Sequence, residues 1–341
     1  MVAPLVSVVI PTYNAAWSIG RTLDSILAQR FKAFEIILVD DGSTDDLKDR
    51  LLAYADEPRL RVVRQANGGL ANARNRGISE ASAPLVAPID ADDVWHPDFL
   101  ELAVAALDAE PDAPFAFAAS FRMDETDRIL SYNERPHTLR HDLVGMIWRN
   151  LVGNGSAAVY RRVLVQEAGG FDETMRSRDL QGAEDYKLIL ALAAKGTPVF
   201  IPRSLVGYRY VRKGMSQGNP ARQLRAVLAV MDEMQDRHPE VARRHWRDGR
   251  ALMQAIYGVS FLRAKHWGLG LRTLVSAYVG HPLFLLNPSA QALHREHLAG
   301  FGRASLSMDE VMTHHGRSAS SSDAGRTGTT LQQGEGRLHD G

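Results

Sequence analysis

Residues 6–14 read VSVVIPTYN. The first five, residues 6–10, form a short apolar run rich in β-branched side chains, and Pro11-Thr12-Tyr13-Asn14 follow it. Because the apolar residues hardly alternate with polar ones, the run predicts a strand buried on both faces of a parallel sheet. Ile19, Leu23 and Ile26 then recur at helical spacing, and Asn14 is the expected N-cap of that helix. The stretch therefore predicts a strand followed by a helix.

The same alternation continues along the chain. Further strands are predicted at 35–39, 60–64, 85–89, 115–119 and 157–160, and helices at 45–55, 70–82, 97–109 and 186–194. Strands that alternate with helices at this interval imply right-handed βαβ units and a mostly parallel sheet with helices on both faces. The predicted class is therefore α/β.

Polar residues follow three of the predicted strands at the point where each strand ends. These segments are Pro11-Thr12-Tyr13-Asn14, Asp40-Asp41-Gly42-Ser43 and Asp90-Ala91-Asp92-Asp93. Ligands of parallel α/β sheets bind at the carboxyl ends of the strands. The shared edge of these three strands is therefore the predicted site.

The segment at 90–93 carries the clearest chemical signal. Its three carboxylates repel one another, and a loop tolerates them best when a divalent cation neutralises them. A site made of oxygen ligands with open positions suits Mg²⁺ or Mn²⁺ that bridges a diphosphate. The alternative is a solvated acidic loop that caps the helix predicted from residue 97.

Two weaker patterns leave structural and functional interpretations open. Asp40 and Asp41 fit either contacts to a base or ribose or the start of an ordinary turn. The glycine pair in Asn67-Gly68-Gly69 precedes a helix, so its backbone N–H groups favour a phosphate, and Arg74 on that helix could add a charged fork. An ordinary loop and a solvated arginine face explain the same residues.

Glu184 and Asp185 begin a predicted amphipathic helix. Acidic residues are common in a first helical turn because they interact favourably with the helix dipole. A group transfer to a hydroxyl also needs a base for the hydroxyl proton, while a metal stabilises a departing diphosphate. One of these carboxylates could be that base, and the dipole is expected to keep it ionised.

The composition excludes several classes of protein. The 341 residues include no cysteine, so disulfides, thiolate metal sites and cysteine nucleophiles are excluded. Forty basic and forty acidic residues leave a formal net charge of zero, so no nucleic-acid partner is expected. The G-x-G-x-x-G fingerprint of nicotinamide oxidoreductases is absent. The lysine that a receiver domain would carry at a later strand end is also absent.

The ordered set of motifs strongly resembles the family 2 inverting glycosyltransferases of the GT-A fold, over residues 6–216. The resemblance rests on VSVVIPTYN at 6–14, ILVDDGS at 37–43, NGG at 67–69, DADD at 90–93, AGGFDE at 168–173 and GAED at 182–185. The Gln-x-x-Arg-Trp motif of the family's processive synthases is absent. Where many relatives have a histidine near Tyr208, this chain has Tyr210-Val211-Arg212, so the resemblance assigns that loop no metal or phosphate role.

The resemblance implies a donor site. It predicts that Pro11, Tyr13 and Asp41 contact the nucleotide base, that Asp90 contacts the ribose or metal region, and that Arg74 is a candidate for the diphosphate. The implied donor is a nucleotide-diphosphate sugar, with a UDP-sugar expected. The implied acceptor is a hydroxyl of a glycan or a lipid-linked molecule, in the assembly of cell-surface polysaccharide or another glycan.

The resemblance also implies a metal and a base. Asp92 would ligate Mn²⁺ or Mg²⁺, Asp185 would be the catalytic base, and Glu184 would lie on the acceptor side. The alternative is a non-catalytic protein that binds nucleotide-sugars. Such a protein would keep the strand-end motifs but lack the base, and Asp185 argues against it.

The chain is expected to have three parts: a GT-A domain at 1–216, a helical module at 217–300 and a largely disordered tail at 301–341, where few large apolar residues occur. In the module, arginines alternate with apolar residues, namely Trp246, Leu252, Phe261 and Trp267. Peripheral contact with an anionic membrane or a lipid-linked acceptor is one interpretation, and a packing module or dimer interface is the other. The expected location is the cytoplasm. If the module contacts a membrane, the expected site is its inner face.

Overall fold

The computed structural model describes residues 3–132, 140–211 and 219–281. By their contacts, all described residues lie in one compact unit. The boundaries expected at 216 and 300, the tail at 301–341 and Arg212 lie outside the described residues.

The described residues form nine strands and eleven α-helices, and a 3₁₀ turn at Leu52–Tyr54 continues α2. The strands are β1 (Val6–Thr12), β2 (Phe34–Asp40), β3 (Leu60–Arg64), β4 (Leu85–Pro88), β5 (Val94–Trp95), β6 (Phe115–Met123), β7 (Ile129–Tyr132), β8 (Ala158–Arg161) and β9 (Val199–Arg209). The helices are α1 (Ile19–Leu27), α2 (Leu47–Leu51), α3 (Leu70–Glu80), α4 (Phe99–Ala109), α5 (Leu143–Trp148), α6 (Arg162–Glu167), α7 (Thr174–Ser177), α8 (Glu184–Ala193), α9 (Pro220–Arg237), α10 (Arg243–Arg263) and α11 (Trp267–Gly280).

A single mixed sheet organises the fold, with strand order β3-β2-β1-β4-β8-β6-β9-β5 and β7 beside β6. β1 pairs in parallel with β2 and β4, and β2 with β3. This confirms the α/β class and the parallel order expected for the first part of the chain. β8 lies antiparallel between β4 and β6, while β9 is parallel to β6. The apolar pattern of a strand does not encode its direction, so these pairings were not predicted.

The strand predicted from residues 6–14 is the centre of the parallel half. All seven residues of β1 are buried. Gly77 of α3 lies so close to Val9 that a Cβ atom there would clash with the valine side chain. This close approach presses α3 against β1 and places the middle of α3, including Arg74, at the edge where the strands end.

The helices after residue 219 share the core of the strand region. Trp246 is fully buried in the main apolar cluster, and Leu252 and Phe261 are buried as well. The packing interpretation therefore applies to these three residues of α10, which cannot contact a membrane. Trp267, at the start of α11, is 63% exposed. None of the helices in the described ranges has both the length and the apolar character needed to cross a bilayer.

Candidate functional site

The ends of β1 and β2 are joined to each other by hydrogen bonds. Asp41 N–H donates to the Thr12 carbonyl at 2.8 Å, and Thr44 N–H donates to Asn14 Oδ1 at 2.8 Å. Asn14 has a left-handed φ of 50°, and α1 begins at Ile19 with Ser18 as its N-cap. The expectation that Asn14 caps this helix is therefore wrong, because its side chain is used to join the two strand ends.

Asp41 is buried and holds the glycine loop that precedes α3. Its Oδ1 accepts a hydrogen bond from Gly68 N–H at 2.7 Å, and its Oδ2 accepts one from Gly69 N–H at 2.8 Å. A carboxylate at this position satisfies backbone donors at the helix N-terminus and interacts favourably with the helix dipole. The two N–H groups that the sequence offered for a phosphate therefore bond to Asp41 in this structure.

The other two residues predicted to contact a base are Pro11, which lies on β1, and Tyr13, which directly follows that strand. Pro11 is buried and pairs in register with Val39. Tyr13 is 53% exposed at the strand end. An exposed aromatic ring beside a rigid strand end is suited to stack against a planar base.

Arg74 connects the two halves of the predicted site. Its guanidinium is 2% exposed and lies 2.7 Å from Asp90 Oδ1 and 3.4 Å from Glu184 Oε1. It also lies over the Phe171 ring, 5.0 Å from the centroid. Burial alone would lower the pKa of Arg74, but the carboxylates of Asp90, Glu184 and Asp185 raise it, so the guanidinium stays charged. The structure thus brings Asp90 and the start of α8 together around one buried cation.

The loop at 90–93 is fixed from several sides. Ser156 Oγ accepts from Asp90 N–H at 2.9 Å and donates to Asp93 Oδ2 at 2.6 Å. Ser18, the N-cap residue of α1, and Thr22 of α1 donate to the Ala91 carbonyl. Asp93 is fully buried, so it organises the loop from within.

Arg209 is a second buried cation at this loop. Its Nε donates to the Asp92 carbonyl at 2.7 Å, and its backbone N–H donates to Asp93 Oδ1 at 2.8 Å. The same guanidinium lies 2.6 Å from Asp127 and donates to the Asp124 carbonyl at 2.7 Å. It therefore ties the acidic loop to the turn between β6 and β7.

Asp90 and Asp92 fit the chemistry of a divalent cation site. The burial of Asp92 and the negative charge of Asp90 raise the pKa of Asp92 to about 6, since no cation within the loop compensates its carboxylate fully. In the described part of the chain, no three His, Asp or Glu side chains are grouped so that they alone could hold a metal. Mg²⁺ is commonly bound by one or two carboxylates together with substrate phosphates, and these two aspartates match that arrangement.

Glu184 and Asp185 differ although they are adjacent. Glu184 is 4% exposed, and its two oxygens contact Arg74 and Gly182 N–H. Asp185 is half-buried, and its Oδ1 accepts from Tyr186 N–H at 2.7 Å. Burial and the charge of Glu184 raise the pKa of Asp185 to about 6, while Arg74 opposes that rise. Burial therefore has the largest effect on this pKa, and a carboxyl with a pKa of about 6 is still mostly ionised at neutral pH, as a base must be.

Several residues of this site carry no recognisable sequence signal. Ser156 and Arg209 hold the acidic loop, and Phe171 packs on Arg74. A Cβ atom at Gly155 would clash with the Arg74 guanidinium, so this position requires glycine. Its residue type is therefore the one signal that the sequence offered. The other three are ordinary residue types, so only their tertiary positions identify them.

Comparison with known proteins finds a family and curated relatives. Residues 7–169 match the family described as Glycosyl transferase family 2. The uncharacterized glycosyltransferase YibD of Escherichia coli strain K12 is 33% identical over 226 residues, which cover 62% of this chain and 64% of YibD. The chain spans between 20% and 64% of the length of three curated relatives that it matches.

Solved structures share the fold. Staphylococcus aureus TarS 1–349 in complex with UDP-GlcNAc has a TM-score of 0.59 at 20% identity, over 86% of this chain and 88% of that chain. The mannosyltransferase PcManGT of Pyrobaculum calidifontis, in complex with GDP-Man and Mn²⁺, has a TM-score of 0.51 at 23% identity, over 87% and 76%. At these identities the likeness concerns the fold alone.

Proposed function

Since residues 7–169 match glycosyl transferase family 2 and the chain has the GT-A fold, we propose that it is a metal-dependent, inverting glycosyltransferase. It would move a sugar from a nucleotide-diphosphate donor to a hydroxyl of a glycan or lipid-linked acceptor, in the assembly of cell-surface polysaccharide or another glycan. The observation that carries the proposal is the buried Arg74, which joins Asp90 to the start of α8.

The donor would lie along the ends of β1, β2 and β4. The exposed ring of Tyr13 would stack on the base, with Pro11 and Asp41 shaping the pocket around it. A UDP-sugar is the preferred donor, and the TarS complex with UDP-GlcNAc supports that choice. Both carboxylate oxygens of Asp41 accept hydrogen bonds from the glycine loop. Asp41 would therefore contribute to base recognition in part by keeping that loop in place.

The diphosphate would lie at Asp90 and Asp92. Mn²⁺ or Mg²⁺ held there would neutralise the charge that develops on the departing diphosphate. Asp92 is the residue proposed to ligate it, and Asp90 keeps one oxygen on Arg74. Arg74 would act on the diphosphate from a fixed position, since its guanidinium is buried between two carboxylates.

Asp185 would accept the proton of the acceptor hydroxyl. The acceptor oxygen forms a bond to the anomeric carbon on the face opposite the leaving group, while the bond from that carbon to the diphosphate breaks. Such a displacement inverts the anomeric centre. Glu184 is saturated by Arg74 and Gly182, so its role would be to orient the helix start and the acceptor.

A donor screen tests the proposal. The full chain would be incubated with Mn²⁺ and a panel of UDP- and GDP-sugars, and stabilisation on heating would identify donors because a ligand that binds the folded state raises the melting temperature. Calorimetry with the best donor should show strong binding with Mn²⁺ and weak binding with EDTA. Asp92→Ala should lose the metal effect and most activity, whereas Asp56→Ala, which removes an exposed carboxylate, should keep both.

Two results would contradict parts of this proposal. Equal donor affinity with Mn²⁺ and with EDTA would reject the metal assignment. Tight donor binding without release of nucleoside diphosphate, with any glycan or lipid-linked acceptor offered, would favour the non-catalytic alternative. The proposed location is the cytoplasm or the inner face of the membrane, where nucleotide-sugars are available.

A further inference from the structure

One face of α11 carries apolar side chains that no described part of the chain covers. Trp267, Leu271, Val275 and Val279 recur every four residues and are between 57% and 76% exposed. Residues four apart on a helix lie on one side of it. These four residues are called the α11 face below.

The opposite side of α11 is packed closely on α10. A Cβ atom at Gly258 would lie 2.8 Å from Leu274 Cγ, and one at Gly270 would lie 2.6 Å from a methyl carbon of Leu262. Ala277 is fully buried in a small cluster with residues of α10. The two helices therefore meet through glycine and alanine, and this contact fixes the α11 face outward.

The chain segment that carries the α11 face is basic, and the acidic residue that contacts its end is Asp248 of α10, which pairs with His281. The sequence has no aspartate or glutamate between Asp248 and Glu296. Arg263, Lys265 and Arg272 are exposed at the start of α11 and along it. An apolar stripe with basic residues and no acidic ones is the pattern of helices that lie in the interface of an anionic bilayer.

We propose that the α11 face binds the surface of an anionic lipid bilayer, with α11 lying parallel to the membrane plane. The 14 residues of α11 are about 21 Å long, which is shorter than the roughly 30 Å of a bilayer's hydrocarbon core, so α11 is suited to lie on the surface. Trp267 at one end matches the preference of tryptophan for the headgroup region. This inference deepens the proposed location at the membrane by naming the surface that binds it, and it does not depend on the proposed sugar transfer.

A second copy of the chain fits this surface less well than a membrane does. A two-fold contact places the same patch of both copies against each other. Such a contact would bring the basic residues of both copies, Lys265 and Arg272 among them, to one interface, with no acidic residue of this segment to pair with them. Lipid phosphates supply the negative charge that such a contact lacks.

Vesicle flotation of the full chain tests the proposal. Vesicles of equal parts phosphatidylcholine and phosphatidylglycerol should carry the protein upward at low salt, while vesicles of phosphatidylcholine alone should carry much less. Val275→Asp should weaken partitioning by roughly tenfold or more, because it adds a polar, negative group to the face. Val163→Asp is the matched control: Val163 and Val275 are both 57% exposed, but Val163 lies on α6. It should bind like the wild type.

Three results of the flotation and sedimentation experiments would contradict the proposal. Wild-type protein that stays in the soluble fraction with anionic vesicles would overturn it, as would equal losses in the two aspartate variants. Sedimentation that shows a dimer dissolved by Val275→Asp would assign the α11 face to a second copy instead. The unfolding curve of each variant, recorded without lipid, verifies that the fold is intact. The vesicle assay needs no donor or acceptor, so a failed sugar-transfer assay would leave this result unaffected.

Discussion

At the scale of single residues, the neighbouring carboxylates of Glu184 and Asp185 have different surroundings and therefore different proposed roles. Glu184 is buried with both oxygens engaged, whereas Asp185 is half-buried and its Oδ1 accepts a bond from the next backbone N–H. A base must be able to reach the acceptor proton, so the less engaged carboxylate is the better candidate. The same reasoning separates Asp92 from Asp93, which is enclosed by Ser156 and Arg209.

Replacing Asp185 with asparagine keeps the shape of the side chain and removes its basicity. Turnover should fall by ~10²-fold or more while donor affinity stays near the wild-type value, because the base acts on the acceptor. Steady-state rates and donor calorimetry would measure the two effects separately. If Asp185→Asn keeps near-normal turnover and Glu184→Gln loses it, the two roles are reversed.

Activity should depend on pH through Asp185. Burial and Glu184 raise the pKa of Asp185 to about 6, so its carboxylate is protonated below that pH and cannot accept a proton. At saturating Mn²⁺, kcat/KM should therefore fall as the pH drops through about 6 and level off above it. In Glu184→Gln the negative neighbour is absent, so the acid limb of the residual activity should move to lower pH. A limb that stays in place would contradict the assignment.

At the scale of elements, α3 is the part that joins the donor and acceptor sides. Its N-terminus is held by Asp41, its middle is pressed on β1 through Gly77, and Arg74 projects from it to Asp90 and Glu184. A shift of the helix start would therefore move the charge that both sides share. The position of α3 depends on contacts from three separate segments of the chain.

The cap on α3 can be tested with one substitution. Asp41→Asn keeps one carbonyl oxygen, so one of the two bonds from Gly68 and Gly69 is lost. We expect a loss of about 1 kcal/mol in the free energy of unfolding, together with weaker donor binding. Asp46→Asn is the control, since Asp46 is the N-cap of α2 but its side chain makes no capping bond. Equal changes in the two variants, measured by urea unfolding, would show that the Asp41 bonds do not hold the loop.

At the scale of the whole molecule, α9 and α10 belong to the same core as the sheet. Met231 of α9 and Trp246 of α10 are fully buried in the cluster that also contains the residues of β1. Lys187 of α8 contacts Glu233 of α9 at 2.6 Å and Asp172 at 2.6 Å, which adds a charged link between the two regions. Unfolding of the described helices and of the sheet should therefore be cooperative.

Trp246→Ala tests this cooperativity. Removal of the fully buried ring should cost about 3–5 kcal/mol and shift a single unfolding transition. Trp267→Ala removes the same side chain from an exposed position and should change stability by less than about 0.5 kcal/mol. Denaturant unfolding followed by circular dichroism would distinguish the cases. A second transition in Trp246→Ala, with the first at its wild-type midpoint, would mean that the segment after 219 folds independently.

Local patterns account for what the sequence predicted correctly. The strand at 6–10, the helix at 70–82 and the acidic loop at 90–93 depend on neighbouring residues, whose periodicity and turn chemistry can be read along the chain. The N-cap of α1 was predicted wrongly, since Asn14 bonds to Thr44, 30 residues away. A prediction from neighbouring residues does not show whether a side chain bonds to a nearby backbone group or to one that is distant in sequence.

The sequence by itself determined the alternation of strands and helices up to residue 119, the α/β class and the carboxylates at the strand ends, because these depend on spacing within a few turns or one strand. The tertiary structure alone decided that Arg74 lies between Asp90 and Glu184, 110 residues from the latter, and that Arg209 holds a loop 116 residues before it. It also decided which apolar residues of the last helices are buried and which remain exposed. The physical reason is that burial, ion pairing and pKa depend on which segments the fold brings into contact, and that contact is a property of the whole chain.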